Sequence, residues 1–338
     1  MRRARDWLLC LGFFAAPLLA VEPVVLSGRA MGTTWTVKFF QPETPLNPAT
    51  LHAGMTEKLE QLEQQFSTYR PTSELTRFNA AQHTEWITVS PEIARVAVAA
   101  QALSRRTDGA FDVTVAPLVQ LWGFGASRRT VPPAAAEISA AQARVDWRRL
   151  EVRASPPALR KTRPDLAVDF SSMAKGFAVD ELGERLRALG VTDFWVQLGG
   201  DIKTMGSRGW RAGIAWPVAL TTGSGATTAQ TLELVNRALS TSGDAHNYFQ
   251  HAGRRYGHII DPRTGEPVHG ELAAVSVVAG SCADSSAAAT ALFVLGAEQG
   301  FAWAVRARIA ALFMVRRGEN FSIKATPEWP QALASGAR

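Results

Sequence analysis

The 338-residue sequence has only two cysteines, Cys10 and Cys282. Cys10 lies in an N-terminal segment that reads as removable, which leaves Cys282 alone. One cysteine cannot form an internal disulfide, so the fold must stand on its hydrophobic core. Lysine is also scarce, at six residues, and arginine carries most of the formal charge of +6. Acidic and basic residues are interspersed, with no run of five or more like charges. That pattern gives no nucleic-acid footprint. There is no GxGxxG, GxxxxGK[ST] or HExxH, and no GxSxG in a strand–turn–helix context. The common dinucleotide, P-loop, zinc-protease and hydrolase readings therefore lack support. No internal repeat or long low-complexity run occurs. The length allows one large or two ordinary domains.

What is present begins with MRRARDWLLCLGFFAAPLLA. Arg2, Arg3 and Arg5 form a basic head, and Trp7 to Ala20 form an apolar run with small residues near its end. This predicts a secretory signal over residues 1–20; the run is short for a membrane span. Arg2-Arg3 lacks an extended twin-arginine context, and no cysteine follows the run to take a lipid anchor.

Trp35, Val37 and Phe39 alternate as in a strand, and Gly28 and Gly32 mark a bend or a close backbone approach. Met55, Leu59, Leu62 and Phe66 form one helical stripe. Ser90-Pro91 opens a second helix with Ile93, Val96, Ala100 and Leu103 inward. A third helix is expected from Ser172 to Leu189, with Leu182, Leu186 and Leu189 inward and Gly190 as its stop. FWVQLGGD predicts a strand entering a glycine turn, and residues 210–239 predict two strands around a Thr/Gly/Ser-rich tip. AAVSVVAG predicts a strand feeding a helix that ends at Gly296, and a hairpin closes the chain. Strands and helices mix without a βαβ repeat, so the expected class is α+β.

Several polar, glycine-marked stretches can carry chemistry. Tyr69 and Arg70 follow a helix, where Tyr69 can stack on a planar ring or simply keep a wet tip. Gly109 to Asp112 put a carboxylate beside an aromatic after a glycine turn. In VDFSSMAKG, Asp169 ends an expected strand, Ser171 and Ser172 are candidate caps, and Lys175 lies early in the helix. A cation there opposes the helix dipole, and a bound anion would offset both. His258, Asp261 and Arg263 cluster in YGHIIDPRTGEPV. A histidine can take a proton from a hydroxyl near neutral pH, and Arg263 can clamp a phosphate or tie the turn to Asp261.

Taken in order, MGTTWTV, FSTYRPTSELTRFN, DGAFDVTVAPLVQLWGFG, VDFSSMAKGFAVDEL, LGGDI, ALSTSGD, HIIDPRTGEPV and ATALFVLG resemble the FAD:protein FMN transferase family, also called the ApbE family. They span residues 31 to 296. The resemblance implies an exported bacterial enzyme that holds FAD and Mg²⁺, moves FMN to a threonine hydroxyl of an acceptor flavoprotein and releases AMP. It implies acceptors that are subunits of membrane redox complexes, hence a periplasmic location near the inner membrane, and no nucleic-acid partner. It implies a two-part α+β body over residues 21–338 with FAD in the cleft. The flavin contacts map to Met31, Tyr69, Ala110, Phe111, Asp112, Asp169, Lys175 and Ile260, and the assisting histidine maps to His258. The alternatives are a non-catalytic FAD- or FMN-binding accessory protein of the same fold, and an FAD pyrophosphatase.

The resemblance further implies a metal held by Ser172, by Thr290, and by an aspartate four residues before that threonine. Ser286 stands at that position, and Ala289 stands where an acidic residue often precedes the threonine. The carboxylate of this stretch is Asp284, six residues before Thr290. Six helical residues turn through about 600°, so the two would face different ways within one helix. Asp284 is thus either an N-cap or a metal ligand reaching from the preceding loop. Gly223 to Thr227, GSGAT, resembles an acceptor motif and raises self-modification at Thr227, but a four-residue match in a Thr/Gly/Ser loop is mostly chance and a plain hairpin tip is the favoured reading.

Overall fold

The computed structural model describes residues 22–206, 210–217, 226–245, 247–318 and 320–329. The expected signal segment at 1–20, with Cys10, and Gly223 to Gly225 of the GSGAT stretch lie outside the described residues. The chain runs β1 (Val24–Ala30), β2 (Thr33–Phe39), α1 (Pro48–Phe66), α2 (Glu74–Ala80), β3 (Ile87–Thr88) and α3 (Pro91–Arg106). It continues through α4 (Ala116–Leu121), α5 (Ala135–Gln142), β4 (Leu150–Ala154), β5 (Pro157–Lys161), α6 (Ser171–Ala188), β6 (Phe194–Leu198) and β7 (Asp201–Met205). Then come β8 (Trp210–Pro217), β9 (Ala226–Leu234), β10 (Ala238–Gly243), β11 (Tyr248–His251) and β12 (Arg254–Gly257). It closes with β13 (Leu272–Ala279), α7 (Cys282–Arg306), β14 (Ala310–Arg317) and β15 (Asn320–Ala325).

Eight strands form one antiparallel sheet in the order β1-β2-β6-β7-β10-β13-β14-β15, and smaller sheets pair β3-β5-β4, β8-β9 and β11-β12. The expected α+β class with antiparallel sheets is what the chain adopts. The pattern of β14 explains its continuous apolar run. Ala311, Phe313 and Val315 pack into one cluster with Leu292 and Phe293 of α7. Ala310, Leu312 and Met314 pack into another with Leu232, Leu234 and Trp329. Both faces of the strand are buried, so period-two alternation of polarity disappears from its sequence.

The helices follow their caps. Asn47 accepts from the Ala49 and Thr50 N–H groups to start α1, and Ser90 accepts from Ile93 N–H to start α3. Met55, Leu59, Leu62 and Phe66 lie buried on α1, as do Ile93, Val96 and Ala100 on α3. The third expected helix holds, with one correction: Leu189 is its exposed C-cap at 42% relative accessibility, because the chain turns at Gly190 (φ +80°) before that side chain can reach the core. At Gly296 the backbone leaves helical geometry (φ 81°), and then α7 resumes.

Candidate active site

The loop joining β1 to β2 is two residues long, Met31 (φ 49°) and Gly32 (φ 72°). Both left-handed values fit the turn that matches strand twist, and a non-glycine residue there is strained. Met31 N–H donates to Glu63 Oε2 at 3.1 Å. Glu63 also meets Arg70 at 3.2 Å, and Arg70 binds Glu60. Arg70 therefore ties the loop after α1 to α1 itself and, through Glu63, to the Met31 turn.

Tyr69 is 60% exposed, yet its hydroxyl is anchored by donating to the Phe124 carbonyl at 2.9 Å. The ring is thus held at its tip and otherwise largely exposed. Burial of part of the ring, and then the charge of Asp169, push the Tyr69 hydroxyl upward in pKa, while Arg128 opposes them. Asp169 and Arg128 thus border Tyr69. The Phe124 ring also meets the His258 ring edge-on at 6.4 Å. His258 follows β12 directly, and its Nδ1 lies 3.1 Å from the Asn247 carbonyl, just before β11. A carbonyl can only accept, so Nδ1 carries the proton and Nε2 is the basic nitrogen.

Asp169 N–H donates to the Val113 carbonyl at 2.7 Å, which joins the GAFD stretch to the start of α6. Two local expectations change here. Asp169 lies in a segment without strand pairing, since residues 166–170 join no sheet. The cap comes from Asp169, whose Oδ1 accepts from Ser171 N–H at 2.8 Å; Ser171 and Ser172 are already helical. Phe170, at the N-cap position, offers no side-chain acceptor, but its carbonyl accepts from the Met173 and Ala174 N–H groups, both at 2.8 Å, which leaves Ser172 N–H as the first-turn donor open to an anion.

Ala110, Phe111, Asp112 and Ile260 turn their side chains inward, at 1%, 2%, 7% and 5% exposure. Asp112 Oδ1 accepts from Thr114 N–H and Oγ1, both at 2.7 Å, and Oδ2 accepts from Trp147 N–H at 2.9 Å. Burial pushes its carboxyl up to about 6, against those hydrogen bonds and with Asp146 adding to the rise. With their side chains turned inward, any contact of these four residues to a ligand would have to be made by backbone groups. Arg263 is settled too: it makes a bidentate pair with Asp261, 2.9 and 2.8 Å, and holds its own turn.

Lys175 extends toward the turns at the sheet end. A Cβ on Gly199 would lie 3.3 Å from Lys175 Cδ and 2.9 Å from Thr33 Cγ2. Gly176 passes so close to α7 that a Cβ would lie 2.4 Å from the Cys282 carbonyl oxygen. One turn later, Asp180 accepts from Cys282 N–H (3.0 Å) and Ala283 N–H (2.9 Å) and pairs with Lys203 at 2.7 Å. Met173 shares a cavity wall with Ala287 and Ala288. Contacts thus run in opposite order along α6 and α7. The antiparallel packing sets the start of α6, where Ser172 stands, on the side of the later turns of α7.

On α7, Thr290 Oγ1 donates to the Ser286 carbonyl at 3.1 Å and lies 3.1 Å from Ser242 Oγ. Ser286 Oγ donates to Asp201 Oδ2 at 3.4 Å. Asp201 is 6% exposed. Burial pushes its carboxyl upward, and the Lys175 charge with hydrogen bonds from Ser240 and Ser286 pulls it back. Asp284 does not join this group. It is exposed in the first turn and lines an open cavity of about 760 Å³ with Arg106 and Arg237. It stands two positions before Ser286, about 200° around the helix. Nor is it the N-cap: Ser281 holds that place and accepts from Asp284 N–H at 3.1 Å.

The group at Thr290 presents oxygens: three hydroxyls and one carboxylate. Cys282 is no competitor, since burial pushes its thiol well up and keeps it protonated. A hard cation such as magnesium suits such donors. Among the described residues, no group of three His, Cys, Asp or Glu side chains could hold a metal by itself.

The ApbE family model matches residues 31–313. The chain belongs to the ApbE family. It is 36% identical to the FAD:protein FMN transferase of Vibrio cholerae over 98% of this chain and 99% of that protein. The solved flavin transferase ApbE from Vibrio cholerae superposes with a TM-score of 0.84, covering 92% of this chain and 99% of its own. The apo flavinyl transferase ApbE of Pseudomonas stutzeri is 37% identical, with a TM-score of 0.82, covering 92% and 97%. Within this ApbE-family chain Tyr69 and His258 both meet Phe124, Asp169 and Lys175 stand at the start of α6, and Asp284 lies apart from the Thr290 group. Glu63, Asp180 and Asp201 have no signal of their own in the sequence beyond, for Asp201, the LGGD turn that it closes.

Proposed function

We propose that this chain is an exported FAD:protein FMN transferase that uses magnesium, a threonine of an acceptor flavoprotein as nucleophile, and releases AMP. The observation that carries the reading is the grouping of site residues on the side of the N-terminal end of α6. A tyrosine anchored on Phe124, a histidine oriented beside the same Phe124, and the α6 start with its Ser172 N–H and Lys175 lie on this side of the molecule. The names and near full-length similarity of the relatives support the reaction type.

In this reading the flavin ring lies on the exposed ring of Tyr69, and backbone groups of Ala110 to Asp112 and of Ile260 border it. Met31, held by Glu63, closes the side beside β1 and β2. The pyrophosphate faces the α6 N-terminus and Lys175, which together bind anionic oxygens. The acceptor hydroxyl oxygen attacks the FMN phosphorus, the bond from that phosphorus to the bridging oxygen breaks, and AMP leaves. The hydroxyl proton passes to Nε2 of His258, whose Nδ1–H is fixed by Asn247. A bound magnesium ion near Ser172 and Thr290 would neutralise charge on the phosphoryl group being transferred.

Residues 1–20 support export to the periplasm, where an acceptor subunit of a membrane redox complex would be met. Ser286, standing where the resemblance implies a carboxylate, favours the second reading of a flavin-binding accessory protein. A transfer assay separates the readings. Mature protein, FAD and a threonine-containing acceptor domain are mixed with Mg²⁺ or with EDTA. In-gel flavin fluorescence on the acceptor and released AMP, both lost with EDTA, are expected. AMP formed without a fluorescent acceptor supports hydrolysis, and tight FAD binding with neither product supports the accessory role.

A further inference from the structure

We propose that Asp201 is the carboxylate that serves the cation beside Ser286 and Thr290. The inference rests on the magnesium-dependent reading above. On this face α7 offers no acidic side chain: Ser286 and Ala289 stand there, and Asp284 looks away. Asp201 comes from the sheet instead. It opens β7 directly after Gly199 and Gly200, and the pairing Leu239 with Ile202 sets it beside Ser240 of β10. Ser240 Oγ lies 2.8 Å from Ser285 Oγ, and Ser242 Oγ lies 3.1 Å from Thr290 Oγ1. A hydroxyl seam thus runs between β10 and α7, with Asp201 at one end and Thr290 at the other.

The charge arrangement supports the same conclusion. Two carboxylates and two lysines meet around the α7 start. Asp180 takes Lys203 at 2.7 Å and two backbone N–H groups, so it is fully compensated. Asp201 has no ion pair within 4.0 Å among the described residues; its partners are the hydroxyls of Ser240 and Ser286, with the Lys175 charge farther off. A buried carboxylate without a direct counter-ion is costly, and a divalent cation removes that cost. Magnesium is commonly held by one or two carboxylates plus substrate phosphates, so one suffices. The 3.4 Å between Ser286 Oγ and Asp201 Oδ2 means that an acidic side chain at position 286 and Asp201 would compete for the same space.

The test titrates Mn²⁺ into the full chain with FAD present and reads free Mn²⁺ by electron paramagnetic resonance. Melting with and without Mn²⁺ is the second readout. Asp201→Asn should weaken Mn²⁺ binding by about 100-fold or more, beyond the roughly 10–100-fold typical of losing an outer-shell partner. Its metal-free melting should rise, because the uncompensated buried charge is gone, while the Mn²⁺-induced rise is lost. Adding Ser286→Asp to that variant should restore binding to within about tenfold of wild type. Equal Mn²⁺ affinity in wild type and Asp201→Asn overturns the proposal and leaves the magnesium reading standing. A wild type that binds no Mn²⁺ overturns both. If Asp201→Asn does not fold, Ser286→Asp alone decides. A carboxylate there should change Mn²⁺ affinity by about tenfold or more through its contact with Asp201, and unchanged affinity overturns the proposal.

Discussion

Gly176 is buried in the interior of α6, directly under the first residue of α7. Replacing it with alanine sets two effects against each other. Intrinsic propensity favours alanine by about 1 kcal/mol in a helix interior. The new Cβ, however, would sit 2.4 Å from the Cys282 carbonyl oxygen, 2.7 Å from its carbonyl carbon and 2.9 Å from Ala283 N. These are backbone atoms already fixed by Asp180, so no side chain can swing away. The helices must part by roughly 1 Å, and overpacking of this kind costs about 1–3 kcal/mol, toward the upper end when backbone must move. The expected net effect of Gly176→Ala is a loss of about 2 kcal/mol by urea unfolding. FAD affinity, read by flavin fluorescence, should fall with it, because Lys175 is the adjacent residue and Asp180 is one turn on. A variant as stable as wild type, or more stable, would refute the close-packing argument and leave propensity as the winning term.

Two further outcomes test other parts of the site. Asp112 has a folded pKa of about 6, above the value of an unfolded aspartate, so the folded state holds its proton more tightly. Its stabilising contribution is full below about pH 4 and is lost as pH rises through about 6, up to about 3 kcal/mol. Urea unfolding of wild type and Asp112→Asn between those limits should therefore shift in favour of the variant as pH rises; a pH-independent difference would count against the buried anion. Asp284→Ala should leave Mn²⁺ affinity unchanged while costing at most about 1 kcal/mol through the α7 dipole. A large loss of metal binding would return Asp284 to the site.

Much of the fold was legible because its determinants are local. The stripes of α1 and α3, the Ser90-Pro91 start and the Gly190 stop follow from spacing and cap chemistry within a few residues. Short motifs likewise singled out Tyr69, Lys175 and His258 as candidates. The misses share one cause. Leu189 fits an inward stripe by period, yet the chain turns before it can bury. Asp169 looks like a strand end, but nothing pairs beside it. Asp284 looks like the carboxylate of its segment, and helix phase sends it to the far side of α7. Glu63 and Asp201 act on residues 32 positions before and 85 positions after themselves, a distance over which no local pattern operates.

The sequence by itself determined the α+β class, the helices with their caps, and the set of groups available for phosphoryl chemistry, because propensity, periodicity and motif spacing are properties of neighbours in the chain. The tertiary structure alone decided which groups meet. It set the antiparallel fit of α6 on α7 through Gly176, the anchoring of Tyr69 on Phe124, and the placement of a sheet carboxylate beside the hydroxyls of α7. Those depend on packing between distant segments, where steric fit and the cost of a buried charge choose the partner.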